Sequence, residues 1–424
     1  MEASWNSYVK ALLSLIRRYG FKSLMSPIGT LQEYRKWSRF QEKRSFIASL
    51  DYSTTDLLSN RDLMKRFSSM RNLKIETVNW FIPYFEHAFG GIHTILRFAD
   101  YFSAKKGILN TLAIYGRSEL SEENLKNRIC RLFPSLQSAS VIYLEKEKTD
   151  ALPYADVCIS TEWRSAYLLL KFNRTKGKFY FIQDYEPLFY PAGVEYALAE
   201  ATYRFGFLGI ANTPGLSEVY KQLYQGTAEY FIPSIDRNVF FCLEQKQSRP
   251  TPNPTKIFFY ARPEIPRNAF ELGILALEKI KKKYGADVEI YTAGSQWNPS
   301  HYGLKGVITN LGVLPYEETG KLYRECDIGI VFMLTKHPSY LPFELMACGC
   351  TVVTNRNPST TWLLRDGENC IMTEPSITSI FEKIETCIEN PVLRSQLAQN
   401  GLHMVGKTDW EKEIEKIYKF ICRS

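Results

Sequence analysis

The sequence predicts an α/β protein with two doubly wound, parallel-sheet domains that face one another across a cleft. Three observations predict it. Short apolar runs alternate with helical patterns between residues 75 and 232, the signature of crossovers in a parallel sheet. The alternation stops at Ser248-Arg249-Pro250-Thr251-Pro252-Asn253-Pro254-Thr255, where three prolines at alternate positions make a stiff linker. It then restarts at Ile257 and continues into C-terminal helices. A chain of 424 residues is also long enough for more than one domain.

In chain order, residues 1–72 read as a charged helical extension. Within it Tyr8, Leu12, Leu15, Ile16 and Tyr19 recur at helical spacing beside Lys10, Arg17 and Arg18. That pattern suits packing on the protein body or lying in a membrane interface. Residues 73–250 form the first domain, with strands expected at 75–82, 108–115, 141–144, 157–160, 179–183, 207–211 and 230–232. Helices are expected after Gly90-Gly91, over 121–132 and over 193–203. Residues 251–404 form the second domain, with strands at 257–260, 288–292, 307–311, 328–334 and 351–353. Its helices cover 269–284, 317–326, 377–388 and 392–402, and the last helix, within 405–424, is assigned to the first domain. In such sheets ligands sit beyond the carboxyl ends of the strands, here in the cleft.

Composition narrows the function classes. The chain is 45% hydrophobic and 23% charged, which is ordinary for a globular protein. A net charge of +8 is modest for this length and favours small anions or an acidic membrane face over nucleic acid. No basic block or nucleic-acid motif is present in the sequence. The nine cysteines are scattered, and Cys348 and Cys350 lack a second ligand pair, so no metal site is expected. Reduced thiols fit the cytoplasm. No apolar run nears the roughly 20 residues that cross a bilayer. The start, Met1-Glu2-Ala3-Ser4-Trp5, has no basic segment of the signal-peptide kind. A cytoplasmic protein is expected, with contact at the inner face of the plasma membrane as a further expectation.

Three groups are candidates for chemistry at the cleft. Arg262 and Arg267 follow the first strand of the second domain, where a strand-to-helix loop can clamp a diphosphate through charge-assisted hydrogen bonds. Gly90 and Gly91 open the first helix of the first domain and let a ligand approach backbone N–H groups. The third group is Lys336-His337-Pro338-Ser339-Tyr340-Leu341-Pro342-Phe343-Glu344, between an apolar strand and a short helix. Its N–H groups suit an anion, and Glu344 suits a sugar hydroxyl. Each group also has a plainer reading: solvated arginines, a Gly-Gly turn, or an ordinary β-α-β unit with a helix-stabilising glutamate.

Together these motifs resemble the retaining, nucleotide-sugar-dependent glycosyltransferases of GT-B fold, family 4 type, over most of residues 75–424. That fold consists of two Rossmann-like domains. The family's Gly-Arg-x4-Lys signature corresponds to Ala261, Arg262 and Arg267. Its base loop resembles Leu311-Gly312-Val313-Leu314-Pro315. Its carboxylate pair is matched at Glu344, ahead of Ala347-Cys348-Gly349, while Lys336 stands where the first glutamate would be. A closer resemblance is to bacterial rhamnosyltransferases that build the polyrhamnose glycan of S-layer glycoproteins. It is carried by Arg262-Pro263, Arg267-Asn268-Ala269-Phe270, His337-Pro338-Ser339-Tyr340 and Gln183-Asp184-Tyr185-Glu186-Pro187.

The resemblance implies transfer of L-rhamnose from dTDP-β-L-rhamnose to a hydroxyl of a growing, lipid-linked glycan. It implies Arg262, Arg267, Glu344 and Asp184 as catalytic residues. It implies Gly90, Gly91, Gln183, Val313, His337, Ser339, Tyr340 and Leu341 as donor-binding ones. Glu186 joins Asp184 as a candidate to orient the acceptor, and His93 is expected to be a hydrogen-bonding neighbour. No cofactor and no metal are implied, and the sequence contains no Asp-x-Asp motif. Other readings stay open: a retaining transferase using a UDP- or GDP-sugar, a nucleotide-sugar 2-epimerase, or an inactive binding module.

Overall fold

The computed structural model describes residues 27–86, 88, 90–144, 148–244, 254–337 and 339–423. The amphipathic positions 8–19 and most of the proline linker lie outside the described residues. The chain divides into two units, Met1–Thr54 and Thr55–Ser424. The first carries helix α1 (Pro27–Ser49). Helix α2 (Thr54–Ser69) buries Leu63, Met64 and Phe67 in the core of the first sheet, and the Phe67 ring sits edge-on to Phe179.

That sheet has seven parallel strands: β1 (Thr77–Pro83), β2 (Leu109–Tyr115), β3 (Ser140–Tyr143), β4 (Ala155–Ser160), β5 (Thr175–Ile182), β6 (Leu208–Asn212) and β7 (Ala228–Phe231). Their order is β3-β2-β1-β4-β5-β6-β7. Helices α3 (Gly90–Lys106), α4 (Glu122–Leu132), α5 (Trp163–Lys171), α6 (Val194–Thr202) and α7 (Pro214–Tyr224) make the crossovers. Because helices cover both faces, the central strands are apolar almost throughout, and all six residues of β4 are buried.

The second sheet has six parallel strands: β8 (Thr255–Tyr260), β9 (Val288–Ala293), β10 (Thr309–Asn310), β11 (Ile328–Val331), β12 (Thr351–Asn355) and β13 (Ile371–Thr373). Their order is β10-β9-β8-β11-β12-β13. Its helices are α8 (Phe270–Tyr284), α9 (Tyr316–Glu325), α10 (Leu341–Ala347), α11 (Ile377–Glu389) and α12 (Pro391–Gly406). Two apolar runs are shorter as strands than their sequence suggests. Only Thr309 and Asn310 of 307–311 pair, and β11 stops at Val331, so 332–337 is loop.

Helix α13 (Trp410–Arg423) returns to the first domain, where Ile414, Ile417 and Ile421 enter the core. Glu413 accepts the Ile232 N–H at 2.9 Å beside β7. The nine cysteines carry thiols and not disulfides. In both sheets the strand order reverses direction between the first strand and its crossover neighbour, at β1/β4 and at β8/β11. The loops beyond those switch points form the cleft.

Candidate functional site

The first domain supplies one wall. Gly90 opens α3 at φ +48°, a left-handed conformation that suits glycine. Gly91 lies so close to Gln183 that an added Cβ would sit 2.9 Å from its Nε2. Beyond β5, Asp184 accepts the Tyr185 N–H at 2.7 Å on one oxygen and the Thr335 hydroxyl at 2.9 Å on the other. Burial pushes the Asp184 carboxyl up to about 6, although Thr335 and the more distant Arg267 favour its ionised form. Glu186 points elsewhere: it is 8% exposed and accepts the Tyr180 hydroxyl at 2.6 Å inside the first domain. Burial and the Glu162 carboxylate hold its acid form well above the usual range. The two carboxylates therefore do not act as a pair on the cleft.

The second domain supplies the facing wall. Arg262 donates to the Tyr260 hydroxyl at 3.3 Å, and its Nε lies 3.7 Å from the half-exposed Glu264 carboxylate. The Arg267 guanidinium covers the Phe189 ring at 4.3 Å, a contact between the domains. Among the described residues, Arg267 has no carboxylate within 4 Å. Burial first, and the like charge of Arg262 next, lower its proton affinity, while Asp184 opposes them. Two guanidiniums meeting with so little counter-charge make a site for an anion.

The loop from Met333 to Tyr340 closes the site. Asn355 fixes its start through reciprocal bonds, accepting the Met333 N–H at 2.8 Å and donating to the Met333 carbonyl at 3.0 Å. Ser339 holds φ +66°, rare for a residue with a side chain, and its N–H donates to His337 Nδ1 at 3.0 Å. Burial lowers the His337 imidazole to about 3, so it is neutral. The Tyr340 hydroxyl accepts from Thr94 at 2.9 Å and from Asn212 at 3.0 Å, both in the first domain.

Gly90, Gly91, Gln183, Asp184, Arg262, Arg267, His337, Ser339 and Tyr340 thus line one cavity with Asn212, Tyr260, Asn268 and Met333. Glu344 lines an adjoining cavity with His93, Arg97, Asp236 and Tyr316, and Gly90 and Tyr340 border both. Burial raises the Glu344 carboxyl to about 8. His93 is pushed down to about 4 by burial and by Arg97. Val313 is 65% exposed, and neither Val313 nor Leu341 lines either cavity. The Val313 loop instead backs the site, because Gly294, beside the Arg262 side chain, donates to the Gly312 carbonyl at 2.9 Å.

Three cavity residues were not among the predicted site residues, Thr94, Asn212 and Asn268, and Thr335 joins them through its bond to Asp184. Asn212 ends a strand at the side where ligands gather, which is the signal that could have found it. Five atoms on the main cavity's residues are buried without a hydrogen-bond partner: Gln183 Oε1, Asn212 Oδ1, Arg262 Nε, Asn268 Oδ1 and His337 Nε2. Each such orphan costs about 1–3 kcal/mol unless a ligand satisfies it. Among the described residues, no helix is long and apolar enough to cross a membrane.

Known proteins resemble the chain in sequence and in fold. Residues 70–211 match the family model described as the WsaF N-terminal domain, and residues 255–385 match the WsaF C-terminal domain. The O-antigen biosynthesis protein RfbC of Myxococcus xanthus is 43% identical over 346 residues, or 82% of this chain; the chain spans only 27% of that relative. HepE of Anabaena, crystallised with UDP-glucose, superposes with a TM-score of 0.63 at 15% identity, covering 81% of this chain and 99% of that one. Sucrose-phosphate synthase from Thermosynechococcus elongatus gives a TM-score of 0.60 at 13% identity, covering 81% and 98%. At such identities these structures speak to the fold alone.

Proposed function

We propose that this chain, both of whose domains match the WsaF family, is a GT-B glycosyltransferase that moves L-rhamnose from dTDP-β-L-rhamnose to a sugar hydroxyl of a growing bacterial surface glycan. The configuration at the anomeric carbon is retained and no metal takes part. The observation that carries this reading is the convergence of Arg262 and Arg267 on one cavity, opposite Gly90, Gly91 and Asp184. The surface-glycan part is supported by the name of the relative, an O-antigen biosynthesis protein.

The bond from the anomeric carbon to the diphosphate oxygen breaks, and charge gathers on the departing diphosphate. Arg262, Arg267 and the N–H groups at the start of α3 would receive it, preorganised and partly shielded from water. The acceptor oxygen bonds to the anomeric carbon on the same face, and its proton passes to a departing phosphate oxygen. No side-chain nucleophile is then needed. Asp184 would face the positive charge that develops at the sugar, helped by Thr335, which favours its ionised form. Glu344 would hold a hydroxyl of the nucleotide's pentose. Gln183, His337, Ser339 and Tyr340 would surround the donor.

A second reading is a retaining hexosyltransferase using a UDP- or GDP-sugar, since Lys336 replaces the carboxylate expected to read the donor sugar and leaves that sugar unassigned. That loss also keeps open an inactive sugar-nucleotide-binding module. One experiment separates all of these: nucleotide release with purified protein over a panel of dTDP-, UDP- and GDP-sugars and a rhamnan acceptor. Release from dTDP-β-L-rhamnose alone is expected. Preference for another donor selects the second reading, and tight binding with no turnover selects the module.

A further inference from the structure

The buried polar atoms around the main cavity are of two chemical kinds, and the difference identifies part of the ligand. His337 is 6% exposed, and its Nδ1 accepts the backbone N–H of Ser339 at 3.0 Å. A ring nitrogen that accepts carries no proton, so the proton of the neutral imidazole sits on Nε2. Nε2–H is therefore a fixed donor, and it has no partner. Gln183 Oε1, an acceptor on the opposite domain, is also buried and also without a partner. A phosphate oxygen could satisfy the first but not the second, because it has no hydrogen to give. A hydroxyl satisfies both.

We propose that His337 and Gln183 together read one ring hydroxyl of the sugar being transferred, Gln183 Oε1 taking its hydrogen and His337 Nε2–H donating to its oxygen. The assignment rests on the transferase reading and deepens it. It also accounts for sugar recognition in a chain where Lys336 occupies the position of a sugar-reading carboxylate. The strained Ser339 backbone, at φ +66°, gains a role, because it aims the N–H that fixes the His337 tautomer. The low proton affinity of His337 keeps that donor unchanged over the working pH range.

The test is calorimetric titration of the whole chain with dTDP and, separately, with dTDP-β-L-rhamnose. His337→Phe and Gln183→Leu should each weaken the nucleotide sugar about tenfold, the loss of one hydrogen bond, while dTDP binds within about twofold of wild type. The double variant should lose less than the product of the two single losses, because both bonds meet at one hydroxyl and are coupled. His337→Gln, which retains an N–H donor, should recover part of the loss. Nitrogen-15 spectra of the histidine rings should place the His337 proton on Nε2 from pH 5 to 9. Equal weakening of dTDP, additive losses, or a proton on Nδ1 would overturn the assignment. If His337→Phe does not fold, Gln183→Leu and the spectra decide. Wild-type protein that binds no nucleotide would instead remove the transferase reading, and this assignment with it.

Discussion

Thr335 donates its hydroxyl hydrogen bond to the Asp184 carboxylate, 2.9 Å away across the cleft, so the second domain helps set the charge of a residue in the first. Burial raises the Asp184 proton affinity and this bond lowers it, leaving the group near about 6. Activity that needs the ionised form should fall as pH drops through about 6. Thr335→Val removes a bond that favours the carboxylate, so the acid limb of kcat against pH should move upward. Asp184→Asn should abolish that limb and lower kcat roughly 100-fold, on the scale of a lost electrostatic group. A limb that stays in place in both variants would exclude Asp184.

Arg262→Ala and Arg267→Ala should each lower kcat by about 10²–10³, the scale of one missing preorganised donor. Arg267→Lys should recover only part of this, because an ammonium cannot reproduce the planar guanidinium lying on Phe189 at 4.3 Å. Steady-state kinetics on the three variants, with melting curves as a control for folding, would check both statements.

Glu344 gives a stability effect of definite sign. Its acid form is favoured in the folded chain up to about 8. The contribution is therefore fully present below the ordinary glutamate pKa and is lost as pH rises towards 8. Glu344→Gln, which stays neutral, should gain on wild type as pH goes from 5 to 9, by on the order of 2 kcal/mol once partial exposure is allowed for. The same variant should bind dTDP less tightly. Denaturant unfolding at both pH values measures the first effect and calorimetry the second.

Turnover should persist in EDTA, since the guanidiniums are assigned the role of neutralising the departing diphosphate. Strict dependence on Mn²⁺ or Mg²⁺ in an assay of metal-stripped protein would contradict this.

With a net charge of +8, the chain should sediment with anionic vesicles in low salt and be released as salt rises. Equal binding to neutral vesicles would argue for an apolar contact instead, and no binding at all would separate the protein from a membrane-held acceptor.

The architecture was readable because both faces of each sheet are covered, which leaves strands such as β11 as unbroken apolar runs. Arg262 and Arg267 stood out because they follow such a run directly. What the sequence could not convey was direction and partnership. Asp184 and Glu186 are two positions apart in one polar turn, yet a 3-10 turn over Glu186–Phe189 sends Glu186 into the interior while Asp184 meets Thr335. Thr94 and Asn212 are far from Tyr340 in the chain and bond to it only when the domains meet. Val313 sits in a loop of the expected composition, but that loop is held behind Arg262.

The chain passes between the domains twice, once from β7 to β8 and again from α12 into α13, whose isoleucines are embedded in the opposite core. A body tethered at one point can tumble about it, whereas two covalent crossings leave chiefly rotation about the line that joins them. Any opening that admits the donor must then swing along one arc, breaking the Tyr340 and Thr335 bonds together and remaking them in the same register each time the lobes shut.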